Sequence, residues 1–297
     1  MNSQRTLINI LGAGRSGSTM LDLMLGNDEM SFSLGEIHAW FRPFRRHHHK
    51  IDCNCGNPEC TYWKKILYIP AKDFHAVAFE RLGKQFLIDS SKNLPWVMDN
   101  NRWAARNNIR VINFIIYKPL VSYIHSVWKR GESVDAALYR YKTYYSRFIE
   151  ACLPACSISF TELVNQPDET LQRLCSITGQ PYRLDRKEFW RGEYHHMFGS
   201  GGIRNQTRRG SAKVESVDLF SEEFNSLLPR IKQLVETDDI IKMIREELDQ
   251  IDHKFRNLTM NEFPNMASQN RVKPTWYYTA RAKSAIRRWV PQRYEPK

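Results

Sequence analysis

The chain has 297 residues, 42% hydrophobic and 12% aromatic, enough to bury a large core, and no Pro/Gly/Ser-rich linker divides it. Its 44 Lys and Arg against 32 Asp and Glu give a formal charge of +12, and its longest apolar runs, such as "INFIIY" at 112–117, are far too short to span a bilayer. No signal-peptide pattern precedes the first apolar run, and six cysteines in a chain of this length suit a reducing compartment better than a disulfide framework. A soluble, cytoplasmic protein is expected.

In chain order, a strand-like run at 6–12 leads into a helical pattern at 18–25, and a second helix is predicted at 71–82. "FLID" at 86–89 reads as a strand before a helix at 94–106. "RVINFII" at 110–116 reads as another, followed by helices at 119–129 and 133–151. "CSISF" at 156–160 is the last strand. A helix then runs from Pro167 to Thr178, stopped by Gly179, and others start at Ser221 and Asp238. Alternating strands and helices predict an α/β fold with a parallel sheet covered on both faces, whose ligands gather where the strands end. There is no internal repeat. One domain is expected over 1–252, with a basic, aromatic-rich helical extension over 253–297.

Residues 270–297 carry eight Lys and Arg against Glu295 alone, so +7 of the +12 sits there. In "TARAKSAIRRWV" the apolar Ala282, Ala285, Ile286 and Trp289 gather near one helical face, with Arg281, Lys283, Arg287 and Arg288 elsewhere. Such a helix docks on the body or lies on an anionic membrane face. Docking is favoured, because Trp276, Tyr277, Tyr278 and Trp289 offer much area to bury. The rest is only mildly basic, and no nucleic-acid partner is expected.

The stretch "INILGAGRSGSTML" at 8–21 fits several phosphate-binding patterns. Apolar residues enter as a strand and a helix leaves, so the open amides at the helix start face an anion. Gly12, Gly14 and Gly17 spell G-x-G-x-x-G, and Glu36 lies 19 residues past the last glycine, near where a dinucleotide-binding acid belongs. A triphosphate loop needs a Lys before its Ser/Thr. Here that position is Ser18, and the nearest cation is Arg15. The cluster of Arg15, Ser16, Ser18 and Thr19 suits a more heavily charged anion than one shared diphosphate.

"GRSGST" resembles the loop of the nucleotide-dependent sulfotransferases, especially their bacterial and tyrosylprotein-type branches. Three later segments carry the same resemblance in the same order. "LGEIHAW" at 34–40 is similar to the Gly-Glu element that supplies a catalytic base. "LIDSSKN" at 87–93 is similar to the element whose Lys reaches the transferring group. "FIIYKPLVSYIHSVWKR" at 114–130 is similar to the element whose Arg and Ser grip a 3'-phosphate eight residues apart. Lys118 and Ser126 keep that separation, although Lys replaces the usual Arg and the usual Asp beside Pro119 is absent. A one-residue slip would select Tyr117 and His125; the Lys/Ser register is preferred because it keeps a positive partner. "HHMFGSGGIRNQTR" at 195–208 resembles a loop that closes over the nucleotide, with Gly199 and Arg204 as expected contacts.

The resemblance covers about residues 5–210 and implies a P-loop NTPase-like three-layer α/β/α fold. It also implies sulfuryl transfer from 3'-phosphoadenosine 5'-phosphosulfate to an acceptor hydroxyl, with no metal required. The donor's 5' end is expected on Gly14, Arg15, Ser16, Gly17, Ser18 and Thr19, and its 3'-phosphate at Lys118 and Ser126. Catalysis is expected from Arg15, Lys92 and the base Glu36. His38 is the alternative base, since two residues apart on an extended segment point the same way. The alternatives are a P-loop-type nucleotide kinase and a non-catalytic protein that binds polyanions or membrane surfaces. Arg42, Arg45, Arg46 and Lys50 suggest an acidic glycan as acceptor. Cys53, Cys55 and Cys60 lie near His47, His48 and His49, but C-x-C-x4-C offers three thiols and lacks the usual C-x2-C knuckle. No metal ligand is assigned; whether these cysteines bind zinc stays open.

Overall fold

The computed structural model describes residues 4–41, 53–57, 59–63, 66, 69–210, 220–267 and 273–289, with no side-chain description for Arg208 or 284–289. The basic loop with Arg42, Arg45, Arg46, Lys50 and His47–His49 therefore lies outside the described residues.

The first half of the chain runs β1 (Thr6–Leu11), α1 (Ser18–Gly26), β2 (Ser31–Gly35), a 3-10 turn (Ile37–Trp40), α2 (Phe74–Leu82), β3 (Phe86–Asp89) and α3 (Leu94–Arg106). It continues with β4 (Arg110–Tyr117), α4 (Leu120–Trp128), α5 (Val134–Glu150), β5 (Cys156–Ser159), α6 (Phe160–Asn165) and α7 (Pro167–Thr178). After two short 3-10 turns come α8 (Gly201–Arg208), α9 (Glu222–Asn225), α10 (Leu228–Thr237), α11 (Asp239–Phe255) and α12 (Thr275–Trp289). The five strands form one parallel sheet in the order β2-β3-β1-β4-β5, with helices packed against it. All six residues of β1 are buried, as expected of a central strand covered on both faces. From β1 the chain goes to the edge strand β2, returns to β3 and then crosses past β1 to β4 and β5, so the connections part on either side of β1 and a crevice opens beyond the carboxyl ends of β1, β3 and β4.

Local chemistry sets several boundaries. The Asn93 side chain caps α3 by accepting from the Trp96 amide at 3.0 Å, with Pro95 in the first turn. Gly179, at φ 79°, ends α7 in the left-handed conformation that glycine tolerates best. The strand β2 was not expected. Its Ser31 and Ser33 are buried beside Phe32 and Leu34, and Ser31 Oγ accepts from Gln180 Nε2 at 2.7 Å, so polar residues stand where apolar ones would signal a strand.

The 252/253 division falls inside α11, and Phe255, Phe263 and Met266 join the core. The Met266 amide donates to Val111 O at 3.1 Å, continuing the contact along β4. Helix α12 docks on α3: Tyr277 Oη donates to Asp99 at 2.6 Å, Arg102 reaches Tyr277 Oη at 3.0 Å, and Arg281 pairs with Asp99 at 3.1 Å. Among the described residues, no helix is long and apolar enough to cross a membrane.

Candidate active site

The turn after β1 is built for close approach. Gly12 has φ 144°, and a Cβ there would lie 2.4 Å from Ile116 O; Gly17 has φ 102°, and its Cβ would lie 2.2 Å from the Phe160 ring. Neither position admits a side chain without displacing β4 or α6. The amides of Gly17, Ser18 and Thr19 open α1 with no helical carbonyl four residues back, leaving them free to meet an anion.

Two neighbouring tyrosines on α5 hold the floor. Tyr144 Oη accepts from the Gly12 amide at 2.9 Å and donates to Lys92 O at 2.8 Å. Tyr145 Oη accepts from the Ala13 amide at 3.4 Å and donates to Ile116 O at 3.1 Å. The pair ties the loops after β1 and β3 to the end of β4. Burial pushes both phenols well up, so they stay protonated and able to donate.

A cleft of about 480 Å³ lies above this floor. Gly14, Arg15, Gly17, Ser18 and Thr19 line it together with Glu36, Lys92, Lys118 and the segment from Gly199 to Ile203. Arg15 and Lys118 thus face the same space. Four cations (Arg15, Lys92, Lys118 and Arg130) line it against the single carboxylate of Glu36. Burial first, and then the charge of Arg130, lower the Arg15 pKa, while Glu36 raises it. Arginine stays charged regardless; the shift reflects chiefly the burial of the guanidinium and secondly the nearby Arg130, and an anion bound beside it would offset both.

Arg15 and Lys92 are also non-glycine residues at positive φ, 83° and 58°, a conformation that costs on the order of 1–3 kcal/mol each and tends to cluster at functional sites. Lys92 Nζ makes a short ion pair with Glu36 Oε1 and donates to Ser90 O at 3.2 Å. Lys118 Nζ sits 3.9 Å from the centre of the Phe160 ring. The 199–203 segment is anchored at Thr19, whose Oγ1 accepts from the Ser200 amide at 3.1 Å, and at Arg15, which donates to Ser200 Oγ at 3.2 Å.

No family model matches the sequence, and comparison with curated proteins finds no match. Solved structures do match. The sulfotransferase domain from the curacin biosynthetic pathway aligns at TM-score 0.50 and 15% identity, covering 77% of this chain and 98% of that one. The sulfotransferase domain from the Synechococcus PCC 7002 olefin synthase aligns at TM-score 0.51 and 17% identity, covering 80% and 95%. The chain has the sulfotransferase-domain fold.

Within this sulfotransferase fold, several residues singled out from sequence lie elsewhere. The Ser16 side chain is buried beneath the turn. Ser126 stands near the end of α4, outside the cleft lining. Tyr117 Oη donates to Asp249 at 3.2 Å, and His125 is packed among Trp128, Phe220 and Phe224, so neither residue of the slipped register lines the cleft. Arg204 Nε donates to Asn54 Oδ1 at 3.0 Å, beside the cysteine loop; Gln206 of the same helix lines the cleft instead. The extended geometry assumed for His38 is absent. Residues 37–40 form a 3-10 turn, in which positions two apart diverge by about 240°, and His38 is outside the lining. Arg130, Phe160 and the two tyrosines were not anticipated.

A second carboxylate lies under the site. Asp22 on α1 is buried and accepts from Ser90 Oγ at 2.6 Å. Burial raises its pKa from 3.8 to about 7, with Asp89 adding to the rise and Ser33, Ser90 and Lys92 opposing it. The folded value exceeds the unfolded one, so the native state holds the extra proton and stability falls as pH rises from about 4 to about 7. Asp22→Asn should remove this slope, worth up to about 4 kcal/mol, and raise Tm at pH above 7. Calorimetric Tm profiles running parallel for the two proteins would contradict it.

Proposed function

We propose that the chain is a sulfotransferase that moves the sulfuryl group of 3'-phosphoadenosine 5'-phosphosulfate to an acceptor hydroxyl. The carrying observation is that Arg15, the glycine turn, Lys92 and Lys118 line one cationic cleft. Such a lining suits one ligand carrying more than one anionic group. The turn amides with Arg15 take the 5' end, and Lys118 takes the 3'-phosphate.

Transfer is an in-line displacement: the acceptor oxygen bonds to sulfur as the bridging sulfur–oxygen bond breaks, and 3'-phosphoadenosine 5'-phosphate leaves. The barrier is lowered by positioning and by cations facing the charge that develops on the transferred and leaving oxygens. Lys92 and Arg15 supply these cations. Glu36 accepts the acceptor's proton. The Glu36–Lys92 pair is the resting arrangement, and an anionic donor competes with Glu36 for the ammonium, freeing the carboxylate to act as base.

A second cavity of about 420 Å³ shares Gly14 and Lys92 with the donor cleft. Tyr123, Tyr139, Tyr144 and Trp276 line it with Arg140 and Arg147. Aromatic faces beside cations fit a carbohydrate or glycoconjugate acceptor carrying acidic groups.

A thermal-shift panel tests the assignment. Saturable stabilisation is expected with 3'-phosphoadenosine 5'-phosphate, and not with NAD(P). Stabilisation by ATP only with magnesium would make the protein a kinase, and none by any nucleotide would leave a polyanion binder. Lys118→Ala should weaken the 3'-phosphorylated nucleotide about 10–100-fold, the value of one charge-assisted contact. AMP, lacking that phosphate, should be nearly unaffected. Equal losses for both would remove Lys118 from the 3'-phosphate.

A further inference from the structure

Three cysteines distant from the donor cleft acquire a fourth partner in the fold. Cys53, Cys55, Cys60 and His195 bring one ligand atom each to within 4.8 Å of one another, the one such group among the described residues. His195 Nδ1 lies 3.4 Å from Cys53 Sγ and 3.5 Å from Cys60 Sγ. A tetrahedral zinc with Zn–S near 2.3 Å and Zn–N near 2.0–2.1 Å separates its sulfur and nitrogen ligands by about 3.6 Å. We propose that these four side chains form a structural zinc site.

The surroundings favour a ligating histidine. Its other nitrogen, Nε2, faces Glu193 Oε1 at 3.6 Å, the carboxylate–histidine arrangement that orients a metal-bound ring. Tyr62 stacks flat on the ring, with centroids 4.3 Å apart, and the Trp63 indole donates to the His195 carbonyl. The cysteine loop is already turned for chelation: the Gly56 amide donates to Cys53 O and the Cys60 amide to Asn57 O, both at 3.1 Å, with Gly56 at φ 74°. All six cysteines of the chain are free thiols. Binding releases the three thiol protons to solvent and leaves three thiolates and a neutral imidazole on the ion, with a net charge of −1. Thiolate-rich tetrahedral sets select zinc over harder cations. With four protein ligands no position stays open for substrate, so the role is structural.

The site joins two segments with little regular structure. The cysteine loop meets the strap 193–200 through Asn54 N and His196 O at 3.1 Å and a bridge between Cys53 and Met197. Met197 O, two residues from the ligand, accepts from the Glu36 amide at 2.9 Å, and Ser200 closes on Thr19 and Arg15. The zinc therefore fixes the strap that positions Glu36 and covers the donor cleft.

Metal analysis of the purified full-length protein tests this without nucleotide or acceptor, so it can fail while the sulfotransferase reading stands, and conversely. One zinc per chain is expected, retained in Cys152→Ser and largely lost in Cys60→Ser and His195→Ala. Should those variants not fold, wild-type protein reconstituted with cobalt(II) gives an independent reading: intense visible d–d bands and thiolate-to-cobalt charge transfer mark tetrahedral sulfur ligation. Folded protein free of zinc and lacking these cobalt bands, or a disulfide among Cys53, Cys55 and Cys60, would overturn the proposal.

Discussion

Glu36→Gln is expected to bind 3'-phosphoadenosine 5'-phosphate as the wild type does and to lose turnover by ~10²-fold or more, the usual weight of a positioned general base. The substitution keeps the shape and the hydrogen-bonding oxygen beside Lys92 and removes the proton acceptor. Because the Glu36 amide donates a hydrogen bond to Met197 O from behind, the backbone should not shift, and the loss should fall on kcat. Single-turnover kinetics with saturating donor would measure it. A variant retaining near-native turnover would take the base role from Glu36, and no other carboxylate lines the cleft among the described residues.

Lys92→Met should have an effect of similar or larger size, on the order of 10²–10³-fold in turnover, because it deletes a cation aimed at developing charge in a partly water-excluded site. It also strips Glu36 of its ion-pair partner. Loss of a neighbouring positive charge favours the protonated carboxyl, so the acidic limb of the pH–rate profile should move to higher pH. In the double variant with Glu36→Gln the losses should be far from additive, since the two side chains are in direct contact. Additive losses with an unmoved acidic limb would mean that the two residues act separately.

The parts of the fold with local signals were legible. The helix at 94–106 matches its helical pattern, with Asn93 found to cap it in the structure, and the helix at 167–178 was legible because Pro167 and Gly179 bracket it. Strand β2 was hidden because its buried serines look like surface residues in isolation; Ser31 is satisfied by Gln180, just past the end of α7. Of the residues that line the cleft, the turn residues, Lys92 and Lys118 each follow a strand end visible in the sequence, whereas Glu36 follows the hidden β2 and was singled out by the Gly-Glu resemblance. Arg130 and the α5 tyrosines could not be read, because their positions depend on how a helix crosses the sheet edge. The same holds for His195, which lies 135 residues beyond Cys60. Its only clue was a histidine pair just before the glycine-rich strap.

The tyrosine stitching sets which parts of the molecule can yield. Tyr144 and Tyr145 bolt two strand-end loops and the end of β4 to one helix through four hydrogen bonds, so the basin at the cleft's base is a fixed template. The strap is held at His196 and Met197 by the cysteine loop, Leu34 and the Glu36 amide, and its Ser200 end meets Thr19 of α1 and Arg15 of the glycine turn through one hydrogen bond each. A nucleotide bound in the cleft is expected to enter and leave past this Ser200 end, with the basin beneath it unmoved.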